Sequence, residues 1–163
     1  MGKGEIDDIL FNNLIIINNF LLVHPKTPAK GQSNITQGEN YTNANIGDIF
    51  YLCRSNDFIE LIGMFVDTKT EIIPKGESHE TWGKRKFKVL FKAKNKNAYQ
   101  KFIDNKKAKW WYPNNRSTFI KIPDSQHQEF DEMILNPVFE ISLKNLKASR
   151  KDPILDEKDI ILK

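Results

Sequence analysis

Apolar residues fall in short runs along this chain, separated by stretches rich in Asn, Lys, Gly and Pro. From Asp8 to Ile17, the residues Leu10, Leu14 and Ile17 recur at helical spacing, with Asp7 or Asp8 placed to cap the N-terminus, which predicts a helix. Phe20 to Val23 reads as a short buried strand, ended by Pro25 and Pro28. Residues 26–46 are polar, Asn-rich and short of apolar anchors. A loop of that length in a small domain is more often functional than idle.

Gly47-Asp48 leads into Ile49-Phe50-Tyr51-Leu52-Cys53, a predicted strand, and a turn at residues 54–57 leads into a second, residues 59–66. Together they predict a hairpin. Gly63 inside the second strand signals a bulge or a close backbone approach. Phe87, Val89 and Phe91 alternate with Lys86, Lys88 and Lys92, the pattern of a half-buried strand with lysines on its outer face. Residues 98–105 predict a short helix and Phe119 to Pro123 another strand. Asp124 to Leu135 predicts a helix capped by Asp124 or Ser125, with Phe130 and Ile134 on one face. Val138 to Leu143 reads as strand or extended chain. After Leu146 the sequence turns charged, so we expect one domain over residues 1–146 and a linker or tail over 147–163, leading toward a further C-terminal region.

Composition narrows the class. At 163 residues, with 39% hydrophobic and 28% charged residues, the chain suits one globular domain. Cys53 is the single cysteine, so no intramolecular disulfide or cysteine-built zinc site is expected, and a reducing cytoplasm is the natural compartment. Its place in an apolar run makes Cys53 a core residue. His24, His79 and His127 show no metal-ligand spacing, and no cofactor is expected. The run from Ile9 to Val23 is interrupted by asparagine pairs and is too short to span a bilayer, so no membrane partner is expected.

The net charge of +4 conceals an asymmetry. Eleven basic residues lie between Lys84 and Lys109 with Asp104 as the one acid, leaving that segment at +10 and the remainder at −6. A solvated lysine-rich surface accounts for such a run. A phosphate-binding face is the functional reading, and it gains support from the aromatic triplet Trp110, Trp111, Tyr112 that follows the run directly. Phosphate contacts are expected from Lys84, Arg85, Lys86, Lys88, Lys92, Lys94, Lys106, Lys107 and Lys109.

Ordered motifs over about residues 20–135 resemble the EVE domains of the PUA superfamily. They are Phe20-Leu21-Leu22-Val23-His24-Pro25, the stretch from Asn40 to Tyr51, the turn at Ser55-Asn56, Leu61-Ile62-Gly63-Met64-Phe65-Val66, Trp82 opening the next strand, and Phe119-Ile120-Lys121-Ile122-Pro123 before a helix. The resemblance implies an α+β fold, a PUA/EVE-like mixed β-barrel flanked by short helices. It also implies a module that holds an extruded, modified base, as at the front of McrB-like subunits of modification-dependent restriction systems. The expected partner is then double-stranded DNA, methylated or not, with a nuclease subunit reached through the C-terminal region. The chain departs from the family in ending its first strand Leu22-Val23-His24, without the usual aromatic, and in its long basic stretch from Lys92 to Pro113.

A base pocket needs flat walls and edge-reading polar groups. Tyr41, Trp82, Trp110 and Trp111 are the candidate walls, and Asn43, Ser55 and Asn56 the candidate readers. Each tryptophan suits core packing as well, and of the adjacent Trp110 and Trp111 only one would face ligand if they lie in a strand. No catalytic residues are expected. The carboxylates Asp48, Asp57, Glu60 and Asp67 form no nuclease-like arrangement, and Gly47-Asp48 reads as a turn into a strand. Two binding alternatives stay open: an RNA-binding PUA- or ASCH-type domain, and a B3-like domain reading the major groove.

Overall fold

The computed structural model describes residues 18–23, 37–54, 58–67, 70–77, 80–102, 119 and 121–150. Within them the chain forms a curled antiparallel sheet with short helices, an α+β arrangement open along one side like half a barrel. The strands are β1 (Phe20–Val23), β2 (Ile49–Arg54), β3 (Phe58–Phe65), β4 (Glu71–Ile72) and β5 (Gly83–Lys92). Their order is β1-β5-β3-β2, and β4 pairs with the first residues of β5. The strands expected at Phe20 and over residues 49–53 and 59–66 are all present, and β2 and β3 form the expected hairpin. The helix expected near Asp8 and the turn at Ser55-Asn56 lie outside the described residues.

Two register breaks decide which face each side chain takes. Between Leu52 and Cys53 the partner of β2 jumps from Leu61 to Ile59, so Glu60 is the extra residue. Opposite Ile62 and Gly63 the partner on β5 jumps from Phe91 to Val89, so Leu90 is the extra residue. Each such bulge reverses the alternation beyond it. The regular alternation read for β5 therefore fails at Leu90. Phe87 and Val89 join one apolar cluster, whereas Phe91 joins the other.

The two clusters lie on opposite faces of the sheet. On β2 they take alternate residues, Ile49, Tyr51 and Cys53 against Phe50 and Leu52. The first cluster packs Ile59 and Ile62 against Tyr99, Phe130, Ile134, Leu135, Val138, Phe139 and Leu146 from the helical segments. Burial there pushes the Cys53 thiol up to about 12, so it stays protonated and inert at neutral pH. The second cluster gathers Leu21, Val23, Tyr41, Leu52, Leu61, Phe65 and Phe87.

The helical layer departs from the sequence reading. A 3₁₀ turn at Ala98–Phe102 stands where a short helix was expected. The expected strand at Phe119 to Pro123 is absent among the described residues of that stretch, and Phe119 instead sets its ring 5.5 Å from Tyr41 and 6.0 Å from Phe65. Helix is present from Asp124, but Pro123 stands at the cap position with no side-chain cap bond. After α2 (His127–Phe130) the chain widens into a π-helix, Asp131–Phe139, which replaces the extended segment expected from Val138. Pro137 lies inside it. In an α-helix its ring would press on the carbonyl four residues back, and the wider turn relieves that contact. Glu140, at φ 56°, ends the π-helix in the left-handed region. A capping box between Ser142 and Asn145 then starts α3 (Leu143–Ser149), which runs across the boundary expected at residue 146. No helix among the described residues is long and apolar enough to cross a membrane.

Candidate nucleic-acid interface

Helix α1 (Gln37–Thr42) lies in the polar stretch read as a loop, and it carries Tyr41 into the second cluster. Tyr41 is fully buried, so its expected role as a pocket wall gives way to a packing role. Its hydroxyl donates to the Leu21 carbonyl at 2.6 Å and faces the Gly83 carbonyl at 3.3 Å. Burial pushes that hydroxyl far above the ordinary phenol range, against the opposing pull of Arg85.

Arg85 likewise leaves the set of phosphate contacts, being 1% exposed. Alternation on β5 turns it inward, onto the face of Phe87, while Lys84 and Lys86 turn outward. Its Nε donates to Asp67 Oδ1 at 3.1 Å, and Nη2 donates to the Asp67 carbonyl at 2.9 Å. Nη1 donates to the carbonyls of Tyr41 at 3.1 Å and Ala44 at 2.6 Å. The guanidinium lies 4.1 Å from the centre of the Phe65 ring. Asp67 Oδ2 also accepts from the Lys86 backbone N–H. The group is satisfied within the protein and ties the end of α1 to the centre of the sheet.

The lysines divide by their partners. Lys84 pairs with Glu71 at 3.3 Å and lies 4.7 Å from the centre of the Phe20 ring. Lys94 pairs with Glu140 at 2.7 Å, and Lys96 pairs with Glu60. Lys86, Lys88 and Lys92 have no acidic partner among the described residues. Lys88 is exposed and Lys86 half-buried, on one face of β5. Lys92 pairs across the sheet with Leu61 of the second cluster, so the bulge at Leu90 has turned it to the other face.

Three of the seven expected pocket residues, Tyr41, Asn43 and Trp82, are described. Asn43 is exposed just past α1, whereas Tyr41 on that helix points into the core. Trp82 is half-buried at the start of β5, where its carbonyl accepts from the Ile73 N–H at 2.9 Å. Thr81 beside it holds φ at 70°, a strained value for a β-branched residue. Ser55, Asn56, Trp110, Trp111, Lys106, Lys107 and Lys109 lie outside the described residues. A hollow of about 570 Å³ is lined by Leu143, Lys144, Lys147 and Ala148 of α3, none of them a predicted pocket residue.

Reading along the chain missed the acids that engage the basic run. Glu60 and Glu140 stand 36 and 46 residues from their lysines, and only the fold brings them together. No known protein family, curated protein or solved structure matches this chain.

Proposed function

We propose that this chain is a non-catalytic nucleic-acid-binding module that works in the cytoplasm without a cofactor. In this reading it grips the backbone of duplex DNA and recognises a flipped, modified base, as the specificity part of a McrB-like restriction system. The observation that carries the reading is a pair of lysines on the face of β5 opposite Phe87 and Val89. Lys86 and Lys88 stand side by side there with no acidic partner among the described residues. Two uncompensated ammonium groups on a sheet face attract a polyanion, and phosphate binding by lysine is sequence-independent and salt-sensitive. The EVE-like order of motifs supports base recognition, with Trp82, Trp110 and Trp111 as the remaining candidate walls and Asn43, Ser55 and Asn56 as readers.

Fluorescence anisotropy with matched duplexes, unmodified or carrying methylated adenine or cytosine, tests this at two salt concentrations. Tighter binding to one modified duplex is expected, weakened by about 1–3 kcal/mol in Trp82→Ala through loss of stacking on the base. Equal binding to every duplex would reduce the reading to a basic backbone-binding face. No binding at low salt would overturn it for DNA.

A further inference from the structure

The described part of the basic run contains seven lysines and one arginine, yet the fold leaves few of those charges uncompensated on one surface. Arg85 is enclosed by its own hydrogen bonds. Lys94 and Lys96 face Glu140 and Glu60, and Lys84 faces Glu71. An ammonium beside a carboxylate has little net charge with which to hold a phosphate, and the carboxylate itself repels one. Lys92 stands on the other face of β5, across from Leu61. Lys101 lies off the sheet, in the 3₁₀ turn, 5.0 Å from the centre of the Phe102 ring. What remains on a single face of β5 is Lys86, opposite Phe20, and Lys88, opposite Met64.

Alternate residues of a strand are about 6.7 Å apart. That is close to the separation of neighbouring phosphates along one nucleic-acid strand. On that face Leu22 and Met64 are buried, Lys86 is half-buried and Lys88 is exposed. We infer that one nucleic-acid strand runs along β5 and that Lys86 and Lys88 are its phosphate contacts, on neighbouring phosphates. Lys84, Arg85, Lys92, Lys94 and Lys96 make no phosphate contact on that track. This rests on the nucleic-acid reading above and narrows it to two residues and a direction of approach.

The test measures binding of fluorescein-labelled oligothymidylate and of a mixed-sequence duplex to the full 163-residue chain across a salt series. Lys86→Ala and Lys88→Ala are each expected to lower the slope of log K against log salt, by about 0.7 on the single strand or 0.9 on the duplex. The double variant is expected to lose both increments, and Lys86→Arg with Lys88→Arg to restore them. Lys94→Ala and Lys96→Ala are expected to leave the slope unchanged. Thermal melting of every variant checks that the fold is intact. If binding persists and Lys86→Ala and Lys88→Ala leave the slope where it was, the inference is wrong. It is also wrong if Lys94→Ala and Lys96→Ala lower the slope as much. Failure of the unsubstituted chain to bind either probe at low salt overturns the nucleic-acid reading itself, and the inference with it.

Discussion

Arg85→Ala is expected to destabilise the fold by about 3–5 kcal/mol, the usual cost of removing one partner of a buried ion pair. The side chain is 1% exposed and supplies four hydrogen bonds, three of them to backbone carbonyls. Truncation removes a donor from each of those carbonyls and from Asp67 Oδ1, leaving the Asp67 carboxylate the Lys86 backbone N–H. It also opens a cavity beside Phe65, whose ring the guanidinium covers at 4.1 Å. Asp67 is 29% exposed, so water can reach its carboxylate and the cost should fall toward the lower end of that range. Against a total stability of about 5–15 kcal/mol for a domain, the loss is large. Urea unfolding should show a lower midpoint with an unchanged slope. A loss under about 1 kcal/mol would mean that the carbonyls find other donors and that Arg85 does not hold α1 to the sheet.

Gly63→Ala is expected to cost about 2–3 kcal/mol by overpacking. A methyl group there would stand 2.5 Å from Phe50 Cζ and 2.9 Å from Phe87 Cδ2. Neither ring can step aside alone, because Phe50 packs edge-on to Phe87 at 5.2 Å and against Phe65 at 4.9 Å. The change also restricts the unfolded chain, a gain of up to about 1 kcal/mol that offsets only part of the collision. Thermal or urea unfolding measures the balance. A variant as stable as the parent would show that the aromatic cluster repacks freely.

The parts of this fold that were legible in the sequence are those set by local pattern. β1, β2 and β3 are largely apolar runs bounded by turn residues, and such runs declare themselves. Gly63 announced a close approach for the same reason, since a glycine among large apolar residues leaves room for a neighbour. The bulge at Leu90 was not legible, because pairing with β3 creates it and nothing in the alternation of β5 reports it. The helix after Pro123 was legible in its apolar spacing but not in its length. The π-helical geometry runs on past Pro137 to Phe139, where the sequence reads as extended chain.

The candidate site was legible as a concentration of charge and little more. Counting lysines treats each as a surface group, yet Arg85 is drawn inward by strand alternation and by carbonyls from α1 and the turn after it. Tyr41 shows the same limit. A tyrosine in a polar, Asn-rich stretch reads as exposed, whereas one turn of helix is enough to deliver it to the core. The compensating acids come from β3, β4 and the end of the π-helix, and proximity of that kind belongs to the fold.

The sheet that separates the two apolar clusters also separates their energetics. Ile134 and Leu135 pack on one side and Phe65 and Phe87 on the other, with the strand backbones of β2, β3 and β5 between them. Side chains that share no partner and stand on opposite faces respond to truncation independently, so their losses should add to within about 0.3–0.5 kcal/mol. A double-mutant cycle joining Ile134→Val to Phe87→Leu measures this directly, and a larger coupling would mean that the backbone of β3 transmits strain from face to face. With independence, the helical side can drift in sequence without disturbing the side that holds Arg85.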